Sequence, residues 1–321
     1  MTRRAGWLAL LVAALVVTGC ESSTSELPPV GPVNPTPVGA QEITSVPTTL
    51  DDSTCDTDVS LRPGRNPAPG AMPAGSTMAE IANRGRLRVG VDQNTYLFGF
   101  RNPVTGQLEG FDIDLAREMA RDLLGDPDKI DFLSLSAADR ETALKDGKVD
   151  MVVRTFSATC DRRQRVGFSA VYFSTDRRVL AAKSSGISST KDLAGKRVCV
   201  VVGTTVVPVL LSLPQPPKVT GATNYTDCLV LLQQGQVDAI STDTPILLGL
   251  AAQDPNLAVV GESLGTDNFA VGVPKERTDL IRFVNGVLER MRSDGTWDRI
   301  YNARLGSLGP SPGPPIPRYQ D

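Results

Sequence analysis

Five cysteines are the residues of this chain best suited to covalent chemistry: Cys20, Cys55, Cys160, Cys199 and Cys228. No two of them form a Cys-x-x-Cys pair, so a zinc ribbon or a thioredoxin-type site has little support. The chain contains no histidine. That removes Ser-His-Asp triads, Cys-His pairs, His-Glu-x-x-His zinc sites and every imidazole acid–base scheme. A carboxylate acid catalyst remains open. The acidic residues are scattered and no EF-hand spacing occurs, so neither a metal nor a cofactor is expected. The turn Gly203-Thr204-Thr205 offers backbone N–H groups at a helix N-terminus, which suits an anion. The same residues also describe a plain strand–helix turn.

The elements that must position these residues begin after a leader. Met1-Thr-Arg-Arg4 is basic, and Ala5 to Val17 is apolar but too short to span a bilayer. Val17-Thr18-Gly19-Cys20 has the small-small-Cys pattern of a bacterial lipobox, in which Cys20 is acylated after cleavage. Residues 1–19 are therefore expected to be a signal peptide. Residues 20–75 follow as a lipid-anchored spacer. From 21 to 75 there are ten prolines, no aromatic residue and no lysine. Such a stretch buries too little apolar surface to fold alone and favours extended chain. With Cys20 set aside, four cysteines remain, an even number consistent with two disulfides in an exported chain. They allow three connectivities. Cys199 and Cys228 share the later α/β region, which favours that pair. Cys55–Cys160 would then pin the end of the spacer to the body.

The 321 residues carry a formal charge of −3 and are 5% aromatic. A basic surface or a stacking platform for nucleic acid is not indicated. The body, from about Ser76 to Leu305, reads as repeated α/β units. Leu87–Val91 alternates like a strand. Phe111, Leu115, Met119 and Leu123 form a helical stripe, with Asp112 and Asp114 placed to favour the helix dipole. Ser136 to Asp139 is expected to cap a helix ending near Gly147, before a strand at Val149–Val153. Leu144-Lys-Asp-Gly147-Lys-Val149-Asp150 is echoed 88 residues later by Leu232-Gln-Gln-Gly235-Gln-Val237-Asp238. This predicts two lobes of similar design, with ligand chemistry at the strand ends after Val91, Val153, Val202 and Ile240. Thr278 to Leu305 is helical apart from a break at Gly295. Residues 307–321 are a Pro-rich tail expected to be loose.

Several segments in order resemble the bacterial extracellular solute-binding proteins of family 3, the polar amino-acid class. They are Gly110-Phe-Asp-Ile-Asp114, Gly147-Lys-Val-Asp150, Asp161-Arg162 with Val166-Gly-Phe-Ser169, and Asp192-Leu-Ala-Gly-Lys196. Gly203-Thr-Thr205, Asp238-Ala-Ile-Ser-Thr-Asp-Thr244 and Asp294-Gly-Thr-Trp297 complete the set. They cover nearly the whole body, and it is their order that carries the resemblance. Within the family, the chain resembles the glutamine/glutamate-binding lipoproteins of mycobacteria and related actinobacteria. The resemblance implies a two-lobed periplasmic-binding-protein fold of type II, α/β in both lobes, with a two-strand hinge around a central cleft. Lobe 1 is placed at 76–180, lobe 2 at 181–270 and the return helices to lobe 1 at 271–306.

The resemblance also implies roles. Arg162 would pair with a ligand α-carboxylate, helped by Thr155, Ser157 and the turn carrying Thr205. Asp243 would accept the α-ammonium; the bland alternative is a helix N-cap before Pro245. Asp92 matches an early cleft acid. Tyr96 or Phe98 would stack on the ligand, with core packing the alternative for Phe98. A second family aromatic is missing, since Ala137 stands in its place. Arg140 and Arg154 add cations near the cleft and favour an acidic side chain; the alternative for Arg140 is a solvent-facing helix turn. Aspartate, glutamate or asparagine is therefore expected ahead of glutamine.

The function implied is an extracytoplasmic receptor, lipid-anchored at Cys20 on the cell membrane and acting as a monomer. It would capture a free amino acid and present it to an ABC permease or a membrane sensor, breaking no bond. Two other readings are an enzyme of the same fold, such as a cyclohexadienyl-type dehydratase, and a tethered interaction domain with no ligand.

Overall fold

The structure is a computed structural model and describes residues 35–45 and 55–321. The expected leader and Cys20 lie outside the described residues. A ten-stranded sheet runs through the fold, nine strands from the body and one, Gln41–Ile43, from the chain before it. One half contains Ile130–Ser134, Leu87–Val91 and Met151–Val152. The other contains Lys218–Ala222, Arg197–Val201 and Ala239–Asp243. Each half has parallel strands joined through helices, so each half is a lobe.

Two long strands join the halves. Val166–Ala182 pairs with Thr266–Pro274 along its first part and with Ala239–Asp243 along its last. Strand Thr266–Pro274 runs back antiparallel and is bulged around Ala270. Aromatic rings gather under this crossover. Phe173 lies 5.4 Å from Phe98 and 5.9 Å from Phe269, and Trp297 lies 5.5 Å from Phe111. The Trp297 indole donates to the Tyr172 carbonyl at 2.8 Å, anchoring the return helices Thr278–Ser293 and Thr296–Arg304 on the crossover strand.

The repeated segment does the same thing in both lobes. Gly147 and Gly235 take φ +65° and +67°, turning each chain from helix to strand. Asp150 then accepts the Arg88 N–H, and Asp238 the Arg197 N–H, both at 2.8 Å. Both disulfides favoured by the cysteine count are present. Cys199–Cys228 joins a strand to helix Tyr225–Gln233, and Cys55–Cys160 joins the pre-body chain to the body.

Three local expectations are corrected. The tail is not loose: Arg318–Gln320 runs parallel to Val59–Leu61, and Tyr319 donates to Glu289 at 2.6 Å. The described parts of the Pro-rich stretch are also built into the body. Gln41–Ile43 lies antiparallel to Lys218–Ala222, and the buried Asn285 amide donates to Ser60 Oγ and the Leu61 carbonyl. Such three-residue strands are held by backbone hydrogen bonds and show no side-chain period. Finally, the helix after Ser136 starts at Arg140, because Ser136 and Asp139 bond each other in a turn instead of capping it.

Candidate functional site

The strand ends meet at one seam between the lobes. On the first lobe, Leu87–Val91 ends at Asp92, and Met151–Val152 leads into Arg154, Thr155 and Ser157. The short helix Cys160–Arg163, capped by the Thr159 hydroxyl, carries Arg162. On the second lobe, Arg197–Val201 ends at the Gly203 turn and Ala239–Asp243 ends at Asp243. This is the ligand position that open α/β sheets favour.

Direct bonds draw the seam together. Arg162 donates to the Ser157 carbonyl and to the Gly203 carbonyl, each at 2.8 Å. Arg140 donates to Gly203 at 2.9 Å, to Ala137 at 2.8 Å and, at 3.3 Å, to the Arg154 and Thr155 carbonyls. Both guanidinium groups lie over the Phe156 ring, at 4.3 Å for Arg140 and 5.1 Å for Arg162. Asn94 donates across the seam to Asn224 at 3.1 Å. The lobes are closed on each other.

Charges in the seam are unevenly matched. Arg154 is buried against Asp92 at 2.8 Å, and its Nε donates to the Leu135 carbonyl. Asp92 also accepts from Thr95 Oγ1 and the Gln93 and Asn94 N–H groups. Glu141 lies 3.8 Å from Arg162. Arg140 is only 2% exposed, and no carboxylate among the described residues lies within ion-pair distance of it. Burial, Arg162 and Arg154 together push its pKa well below the usual arginine range. Across the seam, Asp243 is 6% exposed and its Oδ1 has no hydrogen-bond partner. Burial and the neighbouring Asp267 push its carboxyl well above the ordinary value, against the pull of Arg177 and Arg140.

The expected residues thus divide. Arg140, Arg162, Thr155, Ser157 and the Gly203 turn are joined by hydrogen bonds. Asp243 ends the adjoining second-lobe strand and makes no side-chain cap to its helix, so the N-cap alternative is not what the carboxylate does. Arg140 does not face solvent. Arg154 is a correction as a source of excess charge, because Asp92 matches it. The Thr205 hydroxyl is taken by Asp267 at 2.5 Å. Tyr96 stands apart, 40% exposed and edge-on to Phe100 at 5.0 Å. Its backbone lies against Gly249 of helix Thr244–Ala251. Phe98 is fully buried in the aromatic cluster, so core packing holds for it.

Asp267 and Asp112 were not anticipated as site residues. Position in the first turn gives Asp112 and Asp114 the same dipole role, yet Asp114 pairs at the surface with Arg304 while Asp112 is buried and accepts from the Thr155 N–H. The available signal was its place beside the apolar stripe.

Taken together, the seam presents cations on one wall and, on the other, a buried carboxylate whose Oδ1 has no hydrogen-bond partner. That pairing suits a small zwitterion.

The profile of bacterial extracellular solute-binding proteins, family 3, matches residues 87–307. The ABC transporter glutamine-binding protein GlnH of Bacillus subtilis is 35% identical over 226 residues, covering 70% of this chain and 83% of that one. Glutamate-binding protein GluB of Corynebacterium glutamicum is 30% identical over 241 residues, covering 71% and 81%. Among solved structures, the solute receptor for L-cysteine of Neisseria gonorrhoeae superposes with TM-score 0.70 at 30% identity, covering 73% and 95%. An ancestral arginine-binding protein bound to glutamine gives 0.65 at 34%, covering 70% and 99%.

Proposed function

Because this chain belongs to the bacterial extracellular solute-binding proteins, family 3, we propose that it is a receptor for a free amino acid with an acidic or amide side chain. The observation that carries the reading is the buried Asp243 Oδ1 without a partner, set across the seam from Arg162 and Arg140. An α-ammonium on Asp243 and an α-carboxylate on Arg162 would satisfy both walls at once. Thr155 and Ser157 would complete the carboxylate contacts.

Arg140 supports an acidic side chain. Its two 3.3 Å bonds are the weakest it makes, and a ligand carboxylate would replace them with a charge-assisted pair. A neutral amide would leave the buried cation without a counter-charge. On this argument aspartate or glutamate is preferred to glutamine. The names of the relatives, for glutamine and for glutamate, support the class.

No helix among the described residues is long and apolar enough to cross a membrane. The Val17-Thr18-Gly19-Cys20 pattern supports attachment through a lipid on Cys20, with the receptor held at the extracytoplasmic face of the cell membrane. Its partner is an ABC permease or a membrane sensor that reads the closed form.

The test is the melting temperature of the chain lacking residues 1–20, measured against all twenty amino acids. A ligand at about 100 times its Kd adds about 2.7 kcal/mol. Shifts with aspartate or glutamate are expected. A shift with glutamine alone would remove the Arg140 argument and keep the receptor. No shift with any amino acid would overturn the reading.

A further inference from the structure

The Asp112 carboxylate connects the crossover to the cleft. It is 1% exposed at the start of helix Phe111–Leu124. Its Oδ1 accepts from the Tyr172 hydroxyl on strand Val166–Ala182 at 2.8 Å. Its Oδ2 accepts from the Thr155 N–H, also at 2.8 Å. Thr155 has φ +38°, in the left-handed region that β-branched residues rarely enter. Such a backbone persists only where its surroundings over-determine it, and these states cluster at ligand clamps. The Thr155 carbonyl, on the other side of the same residue, accepts from Arg140. One strained residue is therefore held from below by Asp112 and faces a site cation above.

We propose that Asp112 is a positioning residue for the ligand site. Its carboxylate holds Thr155 in the left-handed conformation that shapes the first-lobe wall, and Tyr172 fixes that carboxylate to the crossover strand joining the lobes. The clamp itself stands on geometry. Its effect on affinity rests on the receptor reading above.

Two measurements on the full chain test it. One is hydrogen exchange at the Thr155 amide; the other is affinity for aspartate and glutamate. Asp112→Ala is expected to lift protection at Thr155 and weaken binding by about tenfold or more. Asp112→Asn keeps an acceptor for the Thr155 N–H and can donate to the Tyr172 oxygen. It is expected to preserve protection and return affinity to within about threefold of wild type. A role limited to overall stability would not separate the two variants in this way.

A folded Asp112→Ala protein with Thr155 still protected, or with unchanged affinity, overturns the proposal. Should the alanine variant not fold, the asparagine variant decides. Loss of binding with Thr155 still protected would mean that charge, and not the clamp, matters. If the wild type binds no amino acid while Arg162→Ala behaves identically, the receptor reading has failed. Exchange at Thr155 then still decides whether Asp112 holds the backbone.

Discussion

Arg162 of the first lobe donates to the carbonyl oxygen of Gly203 in the second, at 2.8 Å, and Arg140 donates to the same oxygen at 2.9 Å. One backbone oxygen therefore sits between two buried cations at the line where the lobes meet. On the proposed reading, closure and ligand binding draw on the same guanidinium groups, so a change at this seam should alter both.

Gly203 tests closure. It has φ +82°, and a Cβ there would lie 2.8 Å from Ala138 Cα and 2.9 Å from Ala138 N. Those atoms are backbone and cannot step aside as a flexible side chain could. Gly203→Ala is expected to hold the lobes apart and weaken amino-acid binding by at least about tenfold. Small-angle scattering should show the ligand-dependent compaction of the wild type disappear. Wild-type affinity in this variant would mean that the Gly203 contact is not needed for closure.

Arg162 tests the anion wall. Removing one partner of a buried charge pair costs about 3–5 kcal/mol, so Arg162→Ala should reduce affinity by about two to three and a half orders of magnitude. Arg162→Lys keeps the charge but lacks the planar fork and should recover only part of the loss. Calorimetry on both variants separates charge from geometry. An alanine variant with near-wild-type affinity would exclude Arg162 as the carboxylate partner.

Asp243 predicts a proton count. Its carboxyl is raised well above the usual range, chiefly by burial. The free protein therefore keeps a proton there at a pH where an ordinary aspartate has lost it. An ammonium on Asp243 favours the ionised form, so binding should release that proton and affinity should rise with pH until the raised pKa is passed. Calorimetry in buffers of unequal ionisation enthalpy reads the release. Binding below that pKa without proton exchange would rule out an ammonium on Asp243.

Asp112 predicts a slope in stability. Burial raises its carboxyl from 3.8 to about 7; the neighbouring Asp92 pushes the same way, and Tyr172, Thr155 and Arg154 oppose it. Between those two values the folded protein holds a proton that the unfolded chain has lost. The contribution is thus fully present below about pH 4 and lost as pH climbs through 7, a few kcal/mol in all. Asp243 acts in the same direction. Asp112→Asn should flatten part of the fall in urea midpoint between pH 5 and 8. An unaltered slope would place the Asp112 pKa near its ordinary value.

The disulfides predict an order of stability. Cys55 and Cys160 are 105 residues apart, and Cys199 and Cys228 are 29 apart. Removing either pair should cost about 2–5 kcal/mol, and the longer loop should cost more. Paired alanine substitutions compared by urea unfolding give the ranking. A smaller loss at Cys55–Cys160 would mean that the pre-body chain is held chiefly by its hydrogen bonds.

Much of this was readable along the chain because it depends on local period and turn chemistry. Leu87–Val91 is a strand with the predicted bounds, and the stripe Phe111, Leu115, Met119 and Leu123 is fully buried. The two Gly-to-Asp segments predicted paired lobes, and Gly147 and Gly235 do take matching left-handed turns. The excluded histidine chemistry follows from the residue count; for the cysteines the count left three pairings open, and shared position in the later α/β region only favoured the one observed. Partnerships between charged groups followed no such rule. That Asp92 matches Arg154, that Asp112 lies beneath Thr155, and that Gly203 receives both Arg140 and Arg162 depend on loops from separate strands meeting at one seam. Nor could composition show that Gln41–Ile43 and Arg318–Gln320 add to sheets, since backbone groups present the same pattern in every sequence. Periodicity determines which face of an element is buried; only the packed fold determines which charges share that burial.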